Sequence, residues 1–253
     1  MAGRFRKLTA AGVPRSLYAA INRQVGQALA QYEMLEDGDR VAVGVSGGKD
    51  SLALYWILQE RLARIPIKYE ICAIHVNPGF EGGDSGKLFE WFNGRGWPLK
   101  VADENFGPLA HSEENRENPC FLCSRLRRKR LFEMAKELGC NKLALGHHKD
   151  DIIETFFINV CYAGEIATMR PKQEFFKGAF TVIRPLAFVE EARIARFSGS
   201  MNFPEFHMAC PSSKISKRGE IKGLLDTLYR SNRKIRGNIF RALGNVRPDY
   251  LLL

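Results

Sequence analysis

A glycine-rich loop stands between an apolar run and a helical run, and its residue types could bind phosphate. The apolar run is Arg40–Val45, and the helical run begins at Leu52. Glycines can adopt backbone conformations closed to other residues, and they let backbone N–H groups approach a ligand closely. A helix that starts here directs the positive end of its dipole to the same place. The loop therefore predicts a phosphate site made by Ser46, Gly47, Gly48, Lys49, Asp50 and Ser51.

The spacing of this loop differs from two familiar nucleotide motifs. A Walker loop has four residues between its first glycine and Gly-Lys-Ser, and the Rossmann fingerprint has three spaced glycines. A bare Ser-Gly-Gly is often an ordinary strand-to-helix turn, but the buried strand before it and the apolar helix after it favour nucleotide binding. The loop resembles the PP-loop of ATP pyrophosphatases. That resemblance implies cleavage of ATP between its α- and β-phosphates and activation of a substrate oxygen as an adenylate.

Two adjacent carboxylates follow a later apolar run. Asp150 and Asp151 close the segment that begins at Gly146, directly after Lys142–Leu145. Aspartates at a helix start can cap the helix and complement its dipole. They can also bind Mg²⁺, which prefers carboxylate ligands and accompanies ATP. Asp50 could serve the same ion, so the sequence predicts that Asp50 and Asp151, with Asp150 beside them, assist Mg²⁺ and adenylation.

Three of the six cysteines stand in segments that suggest chemistry. Cys120 and Cys123 form a Cys-x-x-Cys pair, and Cys210 lies in a polar stretch beside Pro211. Without a secretory signal, such cysteines favour metal binding or redox chemistry over a disulfide framework. The others lie in apolar patterns and are predicted to be small buried side chains: Cys72, Cys140 and Cys161.

Three roles remain open for Cys120, Cys123 and Cys210 on the residues alone. A structural zinc site needs four ligands, and only His111 or His207 could complete the set. A persulfide chemistry would use two of the cysteines and form a transient disulfide. An iron–sulfur cluster held by three cysteines would leave its fourth iron open, which suits delivery of sulfur to an activated carbon.

Strand-like and helix-like runs alternate from Arg40 onward, which predicts a doubly wound α/β domain with a parallel sheet. The strand-like runs are Arg40–Val45, Tyr69–Val76, Leu99–Asp103, Lys142–His147 and Phe180–Arg184. The helix-like runs are Ser16–Glu33, Asp50–Arg64, Ser85–Arg95, Ser124–Leu138, Asp150–Ala163, Val189–Ser200, Gly219–Arg230 and Ile235–Leu243. We predict an N-terminal helical arm (1–39), a PP-loop domain (40–186) and a small C-terminal helical extension (187–253).

Ligands in such sheets bind outside the carboxyl ends of the strands, where the strand order reverses. Residues at those ends are therefore predicted to line the nucleotide site. Val76, the last residue of the second strand-like run, and Gly146, after the fourth, are assigned to it with the phosphate loop. His147 and His148 could position substrate or pack against the loop, and the sequence does not choose between these roles.

The charge of the chain points to a polyanionic partner. Its 253 residues include 38 Lys and Arg against 28 Asp and Glu, a formal net charge of +10. The basic residues are not gathered on an amphipathic anchor, so nucleic acid is favoured over a membrane surface. With no apolar leader and no long apolar run, a cytoplasmic protein is expected. The basic residues form three groups: Arg125, Arg127, Arg128, Lys129, Arg130; Lys214, Lys217, Arg218, Lys222; Arg230, Arg233, Lys234, Arg236.

Several motifs together resemble the tRNA 2-thiocytidine synthetase family, over roughly residues 20–250. They occur in the family's order: Ser46–Ser51, Cys120–Arg128, Gly146–Thr155, Ile183–Leu186 and Cys210. The resemblance implies ATP-dependent adenylation of the C2 oxygen of cytidine 32 in tRNA, followed by replacement of that oxygen with sulfur. It also implies Mg²⁺, a 4Fe–4S cluster held by Cys120, Cys123 and Cys210, and a homodimer. The sulfur donor would be a cysteine desulfurase's persulfide or free sulfide.

The sequence differs from the family's pattern in two respects, and three other functions are considered as alternatives. The late segment has one cysteine where the family commonly has more, and the paired zinc-binding segments of tRNA 2-thiouridine synthetases are absent. A thiouridine-forming or other tRNA-thiolating relative is one alternative. A lysidine synthetase-like ligase shares the loop but needs no metal-binding cysteines. A non-catalytic tRNA- or nucleotide-binding protein would be unharmed by Asp50→Ala or Asp151→Ala.

Overall fold

The computed structural model describes residues 12–211 and 217–251 of the chain, so Lys214 lies outside the described residues. The chain forms two compact units. The first takes in the described residues of Met1–His148 and Pro171–Ser212, and the second those of Lys149–Arg170 and Ser213–Leu253. The three-segment division at 39/40 and 186/187 stays a prediction.

A six-stranded sheet forms the centre of the first unit, in the order β3-β2-β1-β4-β6-β5. All neighbouring strands are parallel except β5 and β6, which are antiparallel. This sheet confirms the predicted doubly wound α/β fold. The strands are β1 (Arg40–Gly44), β2 (Glu70–Asn77), β3 (Leu99–Asp103), β4 (Lys142–Leu145), β5 (Lys172–Phe175) and β6 (Phe180–Ile183).

Helices alternate with the strands along the chain. Those of the first unit are α1 (Arg15–Gln31), α2 (Lys49–Arg61), α3 (Ser85–Asn93), α4 (Phe106–Ala110), α5 (Pro119–Glu137) and α7 (Glu191–Ser200). Those of the second unit are α6 (Lys149–Ile158), α8 (Lys217–Ser231) and α9 (Ile235–Ala242). Among the described residues, no helix has the length and apolar character needed to cross a membrane.

The strand order reverses between β1 and β4, which places two loops side by side. Gly44 at the end of β1 pairs with Leu145 at the end of β4. The phosphate loop follows β1, and Gly146 follows β4. Both therefore leave the carboxyl edge of the sheet at the reversal point, where ligands of such folds bind.

Two apolar cores lie on opposite faces of the sheet. One packs α1, α2 and α7 against the strands, and it includes the apolar face predicted for the first helix: Leu17, Ile21, Val25, Ala28 and Leu29. The other packs Met134 and Ala135 of α5 against Ala42, Ile74 and Leu143. Burial on both faces explains why β1 reads as an uninterrupted apolar run.

The second unit has its own small core. Ile153 of α6 packs with Ile221 and Leu225 of α8, and Phe240 of α9 lies against them. The helical period of the sequence located all three helices, because each buries one apolar face of an otherwise polar surface.

Several local features differ from the sequence predictions, among them the short helix α4, which was not predicted. Helix α5 begins at Pro119 rather than Ser124, because the Asn118 side chain accepts a hydrogen bond from Phe121 N (3.2 Å) and proline suits the first helical position. Strand β5 was not predicted, because it is short, polar and only half-buried. Cys161 is exposed on a π-helical turn, so the prediction that it is buried was wrong.

Lys142 and Asp39 form a buried ion pair beneath β4. Their side chains are 7% and 5% exposed, and Lys142 Nζ lies 2.7 Å from Asp39 Oδ2. Asp39 also accepts hydrogen bonds from Glu36 N (2.6 Å) and Asn141 Nδ2 (2.8 Å). Lys142→Met should lower the free energy of unfolding by about 3–5 kcal/mol, because it leaves a buried carboxylate without its cation. Urea unfolding followed by circular dichroism measures the loss.

The matched control is an exposed ion pair of the same sheet. Arg40 Nε lies 3.1 Å from Glu70 Oε2, with side chains 55% and 76% exposed. Glu70→Gln should cost less than about 1 kcal/mol, because water screens an exposed pair. Equal small losses for K142M and E70Q would show that burial of the Lys142 pair carries no such energy.

Candidate active site

The phosphate loop is locked by the side chain of Ser51. The Ser51 hydroxyl donates to Gly48 O (2.9 Å) and accepts from Ser46 N (3.1 Å) and Ser46 Oγ (3.2 Å). Ser46 Oγ in turn accepts from Gly48 N (3.4 Å). Because Ser51 is buried in the first turn of α2, these bonds hold the loop at the helix N-terminus. The result is a short, fixed turn of the kind that binds anions.

Gly47 meets a distant segment of the chain at close range. Its φ of +88° lies in the left-handed region that favours glycine. A Cβ on Gly47 would stand 3.0 Å from Phe206 Cβ, and Phe206 N donates a hydrogen bond to Gly47 O at 3.3 Å. Glycine is therefore required at this position both by the backbone conformation and by the approach of Phe206.

Lys49 is held by two carboxylates at the start of α2. Its Nζ lies 3.2 Å from Glu191 Oε1 and 3.5 Å from Asp50 Oδ2. Burial lowers the pKa of Lys49, but Asp50 and Glu191 more than offset that effect, and the pKa is raised above its ordinary value. The ammonium therefore stays charged, as a phosphate ligand must.

Gly146 lies directly against the phosphate loop. A Cβ there would stand 3.1 Å from both Asp50 C and Ser51 N, closer than ordinary packing allows. After it, His148 is buried and His147 Nδ1 accepts a hydrogen bond from Arg184 Nε at 3.3 Å. The structure therefore brings Gly146 to the loop, and the small residue there permits the contact.

Val76 lies near the carboxyl end of β2, but its side chain faces the interior. It is 2% exposed and packs in the core on the α5 face of the sheet. The residue before it, His75, is bonded to Val45 O (2.7 Å) and Ser85 Oγ (3.0 Å). A nucleotide at this strand end would meet the backbone of Val76 rather than its side chain.

The two cysteines of the Cys-x-x-Cys pair lie in the first two turns of α5. Cys120 is exposed and Cys123 is half-buried, and neither is in a disulfide. Burial raises the pKa of Cys123, Arg127 acts against that rise, and the thiols of Cys210 and Cys120 add to it. Cys123 is therefore within electrostatic reach of both of the other thiols predicted to act with it.

A single segment connects the phosphate loop to Cys210. Phe206 bonds the loop at Gly47, and His207 is bonded to Asp84 in both directions: His207 N donates to Asp84 Oδ2 (3.0 Å) and Asp84 N donates to His207 O (2.9 Å). Ala209 has a φ of +48°, an uncommon conformation for a residue with a Cβ. The chain is thus held at Phe206 and at His207, just before Cys210.

The donor set of this region is chemically suited to an iron–sulfur cluster. Among the described residues, no three or more His, Cys, Asp or Glu side chains are grouped to hold one metal ion. A zinc ion draws its sulfur ligands to about 2.3 Å. A 4Fe–4S cluster binds each thiolate to a different iron, so its ligands stand farther apart. Three free thiols at Cys120, Cys123 and Cys210 suit that arrangement.

The paired carboxylates belong to the second unit, and each faces an arginine there. Asp151 Oδ1 lies 2.7 Å from Arg218 Nη1, and Asp150 Oδ1 lies 3.0 Å from Arg236 Nε. Carboxylates are the ligands that Mg²⁺ prefers, so the residue types of Asp150 and Asp151 are ones that can bind that ion.

Sequence reasoning missed several partners of the site residues. They come from segments far along the chain, and no local pattern marks them. The most direct are Glu191 on Lys49, Phe206 on Gly47, and Arg218 and Arg236 on the paired aspartates.

The fold and the phosphate loop together define a PP-loop protein. The PP-loop domain family matches residues 17–203, which include the loop, the cysteine pair and Gly146. The solved U34-tRNA thiolase NcsA of Methanococcus maripaludis, with its 4Fe–4S cluster, is similar in structure. Its TM-score is 0.75 at 26% sequence identity, and the match covers 90% of this chain and 78% of that one.

Sequence relatives narrow this class. The tRNA-cytidine(32) 2-sulfurtransferase of Geotalea uraniireducens is 38% identical over 239 residues, which cover 93% of this chain and 95% of that protein. The one of Geotalea daltonii is 39% identical over 241 residues, covering 94% and 95%. The chain belongs to the tRNA-cytidine(32) 2-sulfurtransferase family, and it is an enzyme of the transferase class.

Proposed function

We propose that this enzyme uses ATP to adenylate the C2 oxygen of cytidine 32 in tRNA and then replaces that oxygen with sulfur. The observation that carries the proposal is the segment from Phe206 to Cys210. The segment is bonded to the phosphate loop through Phe206 N and Gly47 O. It ends at Cys210, whose thiol contributes to the raised pKa of Cys123. The parts suited to phosphate chemistry and to sulfur chemistry are thereby joined within one compact unit. The names of the sequence relatives support the choice of base.

The activating half falls to the residues around the phosphate loop. Backbone N–H groups of Gly47 and Gly48 and the ammonium of Lys49 would hold the phosphates of ATP, with Ser46 and Ser51 fixing the turn. The C2 oxygen attacks the α-phosphorus, and pyrophosphate leaves with the charge that Lys49 compensates. Gly146 and the backbone of Val76 would line the nucleotide, while Asp50 and Asp151, with Asp150, would assist Mg²⁺ and adenylation.

The sulfur half falls to Cys120, Cys123 and Cys210. When bound, a 4Fe–4S cluster held at three irons supplies a coordination position for sulfur that the protein leaves open. The new carbon–sulfur bond forms at C2 as the bond to the adenylate oxygen breaks, and AMP leaves with that oxygen. Burial raises the pKa of Cys123, and Arg127 opposes that rise and so favours the thiolate form that a metal requires.

The remaining parts of the proposal concern partners. The formal charge of +10 suits a tRNA substrate. We also propose a homodimer, and a sulfur donor that is either a cysteine desulfurase's persulfide or free sulfide.

One experiment tests both halves. The protein is purified without oxygen and its iron, sulfide and zinc are measured, while nucleosides of tRNA from a deletion strain are analysed by mass spectrometry. We expect iron and sulfide in the protein and loss of 2-thiocytidine in the strain, restored by the intact gene. Zinc without iron would contradict the sulfur half. Loss of 2-thiouridine instead would keep the chemistry and change the base.

A further inference from the structure

A cavity of about 660 Å³ opens beside the helix that carries the cysteine pair. It lies within the first unit, between α5 and the turn that joins β5 to β6. None of the residues assigned to ATP or to the cysteine triad lines it. Its lining combines aromatic rings with basic side chains, and the residues that matter are Phe132, Phe176, Phe180, Arg128, Lys129 and Lys136.

The apolar part of this cavity presents one aromatic ring to solvent. Phe132 packs against Phe180 (5.3 Å between ring centroids) and against Phe176 (6.4 Å). Phe180 is buried, but Phe176 is 69% exposed. Phe176 has a φ of +52°, a backbone conformation that a bulky residue rarely adopts. An exposed ring on a strained turn adds little buried area to the core, and such strain is often retained for binding.

The basic part of the cavity is not neutralised by its surroundings. The side chains of Arg128 and Lys136 make no hydrogen bond or ion pair with any residue of the described ranges, whereas Lys129 Nζ lies 3.8 Å from Glu133 Oε1. Glu133, the carboxylate on this rim, is also 3.6 Å from Arg130. Two cations therefore remain available beside the exposed ring.

Helix α5 carries these groups on the turns that follow the cysteine pair, on a different side of the helix from Cys123. Arg128, Phe132 and Lys136 recur at four-residue intervals and so share one side of α5. At 1.5 Å per residue, Arg128 lies about 7.5 Å and Lys136 about 20 Å along the helix from Cys123. These axial distances are small enough for one bound tRNA to contact both the cavity and the sulfur site.

We propose that this cavity is an RNA-contact site that takes an unpaired nucleotide of the bound tRNA. Its base would stack on Phe176 and Phe132, and neighbouring phosphates would bind Arg128 and Lys136. An aromatic surface beside unpaired cations matches a base joined to phosphates. An acidic peptide would use the cations alone, which leaves the exposed ring without a partner. The proposal rests on the proposed function, because the RNA is the substrate of the sulfurtransferase.

The test for the phosphate contacts is a titration of unmodified tRNA over a range of salt concentrations. Binding of the wild-type protein should fall steeply with salt. The slope of log K against log salt should decrease by about 2 in R128Q/K136Q, because each phosphate contact contributes about 1. The control R23Q/K100Q removes the same charge at two other exposed positions of the first unit. It should change the slope by less than half as much.

The test for the base contact is the pair F176A and F176Y. F176A should raise the Kd for tRNA by about fivefold or more with an unchanged salt slope, and F176Y should restore binding, because stacking needs the ring. Thermal unfolding and sedimentation of each variant accompany the titrations. A change of oligomeric state with unchanged tRNA binding would assign the face to a second copy of the chain and overturn the proposal.

The two proposals fail in different ways. If the wild-type protein binds tRNA with steep salt dependence and the cavity variants match R23Q/K100Q, the cavity is not an RNA site and the proposed function stands. If the wild-type protein does not bind tRNA, both proposals fall together.

Discussion

Replacing Cys123 with serine should remove iron and sulfide from the protein and lower tRNA thiolation by roughly 10³-fold or more, while ATP binding is kept. The serine oxygen is a poor ligand for iron–sulfur iron, whereas thiolates are the ligands such clusters use. Cys123 is the half-buried member of the pair, and the thiols of Cys120 and Cys210 both contribute to its raised pKa. We therefore expect its loss to affect the binding of the cluster by all three cysteines. Iron and sulfide analysis and equilibrium binding of ATP measure the two effects separately.

The matched control is Cys161→Ser. Cys161 is an exposed cysteine of the second unit, so its replacement removes a thiol without touching the proposed ligand set. C161S should retain iron, sulfide and thiolation, and C120S and C210S should behave as C123S does. Full iron content in C123S would contradict the assignment. Loss of ATP binding in C123S to the same degree as loss of iron would indicate misfolding instead.

The parallel strands could be predicted from sequence because buried strands appear as runs of apolar residues. β1 and β4 are continuous apolar runs, each followed by a small-residue turn and a helix, and the structure has both. The edge strand β5 carries no such signal. Its residues are polar and half-exposed, and only its pairing with β6 makes it a strand.

The phosphate loop could be predicted for a similar reason, since its geometry is local. Ser46, Gly48 and Ser51 bond one another within six residues. Its tertiary partners could not. Glu191 contacts Lys49 although the two are 142 residues apart in the sequence. A single carboxylate at a helix start does not indicate which distant residue it will contact.

The basic run after the cysteine pair shows the limit of reading charge alone. The sequence does not distinguish Arg125, Arg127, Arg128 and Arg130 as candidates for RNA binding. In the structure, however, their side chains have different surroundings. Arg125 pairs with an acidic neighbour, Arg127 acts on Cys123, and Arg130 binds three carboxylates. The Arg128 side chain makes no hydrogen bond or ion pair within the described ranges. Helical periodicity sorts these side chains, and the positions of the carboxylates decide which cation is left for RNA.

The adjacent aspartates show the same limit for acidic residues. Their place at a helix start predicted either capping or Mg²⁺ binding, and α6 does begin there. Their arginine partners, Arg218 and Arg236, come from helices that follow more than 60 residues later. An ion pair of this kind depends on how α6, α8 and α9 pack, which the local sequence does not encode.

Lys49→Ala should lower the rate of adenylate formation by about 10²–10³-fold, with a smaller loss in ATP affinity. Lys49 Nζ is already placed by Glu191 and Asp50, so no reorganisation is needed when charge develops on the departing pyrophosphate. A group that acts on that developing charge affects the rate more than ground-state binding. Exchange of labelled pyrophosphate into ATP measures the rate, and equilibrium binding of a non-hydrolysable ATP analogue measures the affinity.

Glu191→Gln separates the charge of Lys49 from its placement. It removes one of the two carboxylates that hold the ammonium at 3.2 and 3.5 Å, but it leaves the positive charge in the loop. We therefore expect less than a tenfold loss of rate in E191Q, because Asp50 still positions Lys49. Equal losses in K49A and E191Q would mean that the ion pair supports the fold of the loop. If Lys49 contacts the reacting phosphates directly, K49A should lose more activity than E191Q. That loss should appear in the rate of adenylate formation rather than in the affinity for ATP.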